Sequence, residues 1–225
     1  MQRRDFSKHL VTTTASAAAA AAGLGLAWSP LALAQAGAPV EGQHYVRLGS
    51  PAPVSLPPGK AVEVVEFFWY GCPHCFAFEP ALESWIKKLP ADVSFRRVPA
   101  GFTAVYQLHQ KVFYALEEIG QLDAAHSKLF NAIHVQNKRL TSEGDVVAFL
   151  KSVGVDEGKF TAAMKSFGVN TKVSRAKQLS EGYKIDGVPA LGVQGRFYTS
   201  LSLAGGPDRA VAVTDFLIQR ARQKA

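Results

Sequence analysis

Between Val62 and Tyr70 the chain reads Val-Glu-Val-Val-Glu-Phe-Phe-Trp-Tyr, dense in β-branched and aromatic residues and almost continuous in apolarity. That pattern belongs to a central strand buried on both faces, not to one with a wet side. Gly71 ends the run. The spacing then predicts a helix over residues 73–89, with Pro73 in the first turn, where its missing N–H is harmless. Pro80 falls inside that helix and predicts a kink. Residues 93–98, Val-Ser-Phe-Arg-Arg-Val, predict a second strand, so the three elements form a parallel β-α-β unit.

Beyond residue 102 the period changes. Val105, Leu108, Val112 and Leu116 recur on one helical face. Further helices are predicted over 122–133, 142–153 and 156–167, with no strand pattern between them. Residues 102–169 therefore read as a compact helical insertion in an α/β domain built from residues 35–101 and 170–225. A helix over 170–183 leads back into that domain. Gly187-Val188-Pro189-Ala190 opens an extended segment, and Gln194-Gly195 predicts a hairpin turn into Arg196-Phe197-Tyr198-Thr199. A last amphipathic helix starts at Pro207-Asp208. Residues 35–60, with five prolines and one strand-like patch at Tyr45-Val46-Arg47-Leu48, read as a lead-in.

The first 34 residues have the layout of a cleaved signal peptide: a basic start (Arg3, Arg4, Lys8), an uncharged stretch from Leu10 to Leu33, and the small-residue run Ala32-Leu33-Ala34. The uncharged stretch is long enough to span a bilayer. Thr12 to Thr14, Gly23, Gly25 and Pro30 make it only weakly hydrophobic, which favours cleavage over anchoring. The paired arginines followed by Phe6 and Lys8 resemble a twin-arginine leader. The mature chain, starting near Gln35 or Gly37, is expected in the periplasm, an oxidising compartment.

The formal net charge is +7, of which the leader accounts for two (Arg3, Arg4 and Lys8 against Asp5). The remaining Lys and Arg are scattered without the aromatic-interleaved stripe of a nucleic-acid binder, so no nucleic-acid partner is expected. The chain has two cysteines, three positions apart, Cys72 and Cys75. A disulfide framework needs more of them, spread wider, and a loop this short stabilises little. Zinc is the other use of such a pair, but it needs two more ligands. His44, His109, His126 and His134 show no tight pairing and read singly as surface or core residues.

Redox chemistry fits the placement better. At a strand-to-helix junction Cys72 sits at the helix N-terminus, where unpaired N–H groups and the dipole stabilise a thiolate. Cys75, one turn in, can resolve a mixed disulfide, and a protonated His74 adds a second stabiliser of the same sign. A depressed Cys72 pKa favours the reduced form, by about 1.4 kcal/mol per unit near neutral pH, and makes the disulfide an oxidant. Glu66 also stands out. A carboxylate in a strand buried on both faces is costly without a partner or a task.

Glu66-Phe67-Phe68 leading into Cys72-Pro73-His74-Cys75, then Phe78-Glu79, and finally Gly187-Val188-Pro189-Ala190, resemble the DsbA family of periplasmic disulfide oxidases over essentially the whole mature chain. That family is itself a standing example of a low cysteine pKa and a strongly oxidising disulfide, so the direction argued above coincides with what the resemblance implies. It implies an α/β thioredoxin fold with an inserted helical domain. It also implies a cis Val188–Pro189 bond beside the cysteines, with neighbouring backbone that pairs with substrate. By the same resemblance Glu66 lies beneath Cys75 and moves protons to or from it, and Arg97 pairs with that acid. Glu79, one turn beyond Cys75, reads either as a residue that tunes the site or as an exposed helix carboxylate.

The activity so implied is protein disulfide oxidation, without a cofactor and by a monomer: the Cys72–Cys75 disulfide is donated to reduced secreted proteins. A quinone-linked membrane oxidase resembling DsbB would then restore it. A periplasmic isomerase or reductase is the alternative, although residues 35–60 are too few for the separate dimerisation domain that isomerases carry. A non-catalytic chaperone or zinc-binding module is a further class.

Overall fold

The computed structural model describes residues 37–223. The expected leader, residues 1–34, lies outside the described residues. Five strands form one mixed sheet: β1 (Val46–Arg47), β2 (Val62–Phe68), β3 (Val93–Pro99), β4 (Ala190–Val193) and β5 (Phe197–Ser200). Their spatial order is β1-β5-β4-β2-β3, parallel only between β2 and β3. Every residue of β2 is buried, the two glutamates included, as its nearly continuous apolarity predicts.

The two faces of β2 serve different layers. Val62 and Val64 pack with Phe78, Leu82 and Trp85 of α1 (Pro73–Ile86) and with Val213 and Leu217 of the C-terminal helix (Pro207–Arg222). Val65 and Phe67 face the helical block, where the Phe67 and Tyr183 rings lie 5.2 Å apart. By the two-residue period of a strand, Glu66 shares the face of Val62 and Val64 and so lies on the α1 side.

The block between β3 and β4 comprises α2 (Ala104–Glu118), α3 (Leu122–His134), α4 (Glu143–Ser152), α5 (Glu157–Met164) and α6 (Phe167–Gly182). Several boundaries depart from expectation for identifiable reasons. The strand expected to reach Tyr70 stops at Phe68, because the Cys72 N–H donates to the Trp69 carbonyl at 3.0 Å and turns the chain into α1. The helix α1 runs through Pro80 but ends at Ile86, three residues early, in tight turns. Ser166 accepts from the Val169 N–H and starts α6 at Phe167, so a division at residues 169/170 falls inside one helix. The short helix α7 (Leu201–Ala204), capped by Ser200, is unforeseen, and Pro207–Arg222 becomes α8.

Gln194 (φ 51°) and Gly195 (φ 60°) form the expected β4–β5 turn in the left-handed region. The lead-in is laced to it: Ala52 N–H donates to Gly195 O and Leu48 N–H to Arg196 O, both at 2.8 Å. A Cβ on Gly195 would stand 2.2 Å from the Ala52 carbonyl oxygen. Gly195→Ala should therefore lower stability by about 2 kcal/mol or more, through strained φ and the displaced strap. A denaturant midpoint equal to that of the parent protein would contradict this.

Candidate active site

The first turn of α1 places the two sulfurs. Cys72 is the helix N-cap in an extended conformation (φ −86°, ψ 117°), Pro73 takes the first helical position, and Phe76 N–H closes the turn on Cys72 O at 3.1 Å. The Cys72 Sγ accepts from the Cys75 backbone N–H at 3.4 Å. The side chain of His74 points to solvent, whereas Cys75 is fully buried and Cys72 only 7% exposed. The structure holds both cysteines as free thiols.

These surroundings split the two thiols. The Cys75 side chain hydrogen-bonds to Cys72, the backbone N–H groups of Cys75 and His74 add to it, and together with the His74 charge they outweigh burial. The pKa of Cys72 falls from 9.0 to about 6. Burial, the hydrogen bond to Cys72 and the field of Glu66 push the Cys75 thiol far above its ordinary range. One sulfur is a thiolate at neutral pH, and the other holds its proton.

The segment before β4 closes the site. The Val188–Pro189 bond is cis, and the Val188 carbonyl lies 3.5 Å from Cys72 Sγ. Because β4 pairs antiparallel with β2, Ala190 opposite Phe67, this loop arrives beside the turn that carries Cys72.

Under α1 lies a group of charges that runs from buried Glu66 to half-exposed Glu83. Glu66 and Arg97 are direct neighbours across the parallel β2–β3 pair, with Arg97 Nε 3.1 Å from Glu66 Oε2. Arg97 Nη2 also meets Glu79 at 3.2 Å and Glu83 at 2.6 Å, both on α1. One guanidinium thus serves three carboxylates. Burial raises Glu66 from 4.5 to about 8 despite Arg97, with the negative charges of Glu79 and Glu83 adding to the rise. Burial also acts to raise Glu79, but His126 and Arg97 more than offset it and hold its pKa down.

A second buried acid on the same strand, Glu63, accepts from the Ser55 N–H at 3.1 Å and from Arg96 Nε at 2.8 Å. It anchors the lead-in, a structural use that sequence reasoning did not separate from that of Glu66.

The structure also adds residues near the site that the sequence reading passed over. Tyr70 is 1% exposed and donates or accepts through its hydroxyl with His126 Nδ1 at 2.9 Å, while its carbonyl faces His134 Nε2 at 2.8 Å. The Trp69 indole stacks on Tyr106 with ring centres 3.8 Å apart. A cleft of about 1060 Å³ opens on the other end of the charge group, past Glu79, Arg97 and His126 towards Lys172 and Arg175; neither cysteine lines it.

The comparisons with known proteins agree with this geometry. A family model described as a DSBA-like thioredoxin domain matches residues 63–210. The thiol:disulfide interchange protein DsbA of Pseudomonas aeruginosa is 43% identical over 192 residues, covering 85% of this chain and 90% of that protein. The DsbA of Burkholderia cepacia is 42% identical over 201 residues, covering 89% and 94%. The crystal structure of Pseudomonas aeruginosa DsbA superposes with a TM-score of 0.77 at 42% identity, covering 82% of this chain and 95% of that one. An oxidoreductase DsbA from Xylella fastidiosa gives 0.76 at 28% identity, covering 82% and 98%.

Glu66 offers a direct check on the electrostatics. Its folded pKa is raised, so the protonated form stabilises the fold and that contribution is lost as pH climbs from 4.5 towards about 8. Glu66→Gln, which cannot ionise, should be more stable than the parent by a margin that grows across this window to a few kcal/mol, at roughly 1.4 kcal/mol per unit. Unfolding midpoints measured from pH 5 to 8 test it; a margin that stays flat or shrinks would refute the buried acid.

Proposed function

Since the chain belongs to the DSBA-like thioredoxin domain family, whose members are thiol:disulfide oxidoreductases, we propose that it oxidises reduced proteins in the periplasm, with Cys72 as the attacked sulfur. The observation that carries this reading is the split between the two thiols. The sulfur at the helix N-terminus is a good leaving group, with a pKa near 6, and the buried one is a poor one.

Burial directs the first step and leaving-group quality the last: Cys72 is the less buried sulfur and so the one attacked, and its low pKa lets it leave at the end. A thiolate of the reduced substrate attacks Cys72 Sγ in the oxidised enzyme; the Cys72–Cys75 bond breaks, and its electron pair passes to Cys75 Sγ. Buried Cys75 takes up a proton, which we assign to protonated Glu66; the reading is supported by the field of Glu66 at Cys75 and by its pKa of about 8, raised by burial. The second substrate thiolate then attacks the substrate sulfur of the mixed disulfide. Cys72 leaves as a thiolate, held by the Cys75 N–H. Two electrons have moved to the enzyme, and the substrate holds a new disulfide.

Pro73 starts the helix without an N–H, and His74 contributes charge next to Cys72 from an exposed position. Val188 and Pro189 bring main chain to within 3.5 Å of the reactive sulfur, where an extended substrate could pair with it. The reduced enzyme returns to the disulfide by passing its electrons to a quinone-linked membrane oxidase resembling DsbB. Among the described residues no helix is long and apolar enough to cross a membrane.

Mixed-disulfide trapping tests the roles. Cys75→Ser, challenged with an oxidised peptide disulfide, should accumulate a covalent adduct at Cys72, whereas Cys72→Ser should form little or none. Equal adduct yields from the two variants, or an adduct confined to Cys75, would reverse the assignment.

A further inference from the structure

We propose that His126 and His134 are positioning residues for Cys72, acting together by clamping Tyr70 from one face of α3. The proposal rests on the reading of Cys72 as the reactive sulfur and extends it to a helix that carries neither cysteine. In α3, His126, Phe130 and His134 recur every four residues and so share a face. That face meets Tyr70 at three points. The hydroxyl lies 2.9 Å from His126 Nδ1, the ring packs on Phe130 with centres 5.1 Å apart, and the carbonyl lies 2.8 Å from His134 Nε2.

Hydrogen-bond chemistry assigns the tautomers. A carbonyl only accepts, so His134 Nε2 carries the proton and donates to Tyr70 O. On His126, Nε2 faces the carboxylate of Glu79 at 3.4 Å, and a carboxylate likewise only accepts. The charge of that carboxylate favours a proton on Nε2 of His126, although the contact is not a hydrogen bond, and this leaves Nδ1 to accept from the Tyr70 hydroxyl. The His134 ring also stacks on Phe76 at 5.0 Å and 12°, next in sequence to Cys75. Each histidine thus touches both the turn before Cys72 and the helix after it.

What the clamp holds is a short lever. Residues 69–72 form the tight turn closed by Cys72 N–H on Trp69 O at 3.0 Å. Tyr70 is its fully buried member, so fixing Tyr70 fixes the direction from which Cys72 enters α1. The bond that this entry serves, Cys75 N–H to Cys72 Sγ, is 3.4 Å long, and slack in the turn weakens it directly. The groups facing the two imidazoles are Tyr70 from the turn, Glu79 and Phe76 from α1, Phe68 from β2, Phe113 from α2 and Phe130 from α3 itself. Arg97 reaches His126 through Glu79.

Four variants separate positioning from bulk packing: His126→Phe, His126→Gln, His134→Phe and His134→Gln. The phenylalanine forms keep a ring but lose the hydrogen bond; the glutamine forms lose the ring but keep a polar N–H or acceptor. The readouts are the Cys72 thiolate absorbance against pH and the equilibrium with glutathione. Each phenylalanine variant should raise the Cys72 midpoint and make the disulfide less oxidising by about threefold or more, roughly half a pKa unit. Each glutamine variant should recover at least half of that shift.

Phenylalanine variants that titrate and equilibrate like the parent would overturn the proposal. So would glutamine variants as impaired as the phenylalanine ones, or unfolding midpoints that fall equally in both redox forms while the equilibrium stays put. If a variant does not fold, imidazole nitrogen NMR on the parent protein decides. His134 and His126 should both show the Nε2–H form with signals that move on reduction, and redox-insensitive signals would count against the clamp. Trapping with Cys75→Ser and Cys72→Ser, both histidines intact, tests the Cys72 assignment by itself, so a failure of that reading is distinguishable from a failure of the clamp.

Discussion

The hydrogen bond from the Cys75 backbone N–H to Cys72 Sγ is the contact on which the rest of the site depends. It exists because Cys72 is an N-cap: its extended backbone turns the sulfur back over the first turn of α1, where N–H groups have no helical partner. In the disulfide that stabilisation of charge is absent, and in the dithiol it is present. A three-unit depression from 9.0 to about 6 corresponds to at most roughly 4 kcal/mol in favour of the reduced fold. The sign follows from linkage: the contribution is full above the unfolded thiol value near 9 and is lost as pH falls through 6.

The second sulfur needs the opposite treatment, and the sheet supplies it. Cys75 is wholly buried, and the central strand beneath α1 puts Glu66 in the same layer as Val62 and Val64. Burial alone would make Glu66 a cost without return. Arg97, opposite it across β2–β3 and shared with Glu79 and Glu83, partly offsets that cost and pulls its pKa back down. The chain of contacts continues through Glu79 to His126 and Tyr70, and so returns to the turn before Cys72. Fold, charge group and reactive sulfur are therefore one connected structure.

Much of this was legible in the chain because it is local. The nearly continuous apolarity of Val62 to Phe68, Pro73 at the helix start, the cysteine spacing and the Gln194-Gly195 turn are short-range signals with direct physical meanings. The glutamate in a doubly buried strand marked itself by its cost. Other features depend on distant neighbours. The Arg97–Glu66 pairing is a matter of strand register, the start of α6 is set by the Ser166 cap, and Glu63 differs from Glu66 only because Ser55 and Arg96 reach it. His126 and His134 looked like ordinary core or surface histidines, since nothing in the sequence places Tyr70 between them.

The central claim is that reduction is favoured by the Cys72 thiolate, and the equilibrium of the purified protein with glutathione across pH 5 to 9 measures it most directly. The account predicts a disulfide more oxidising than glutathione, with an advantage that shrinks as the pH falls from about 9 towards about 6 and levels off below it. A disulfide no more oxidising than glutathione, or an advantage that does not change as Cys72 takes up its proton, would contradict it.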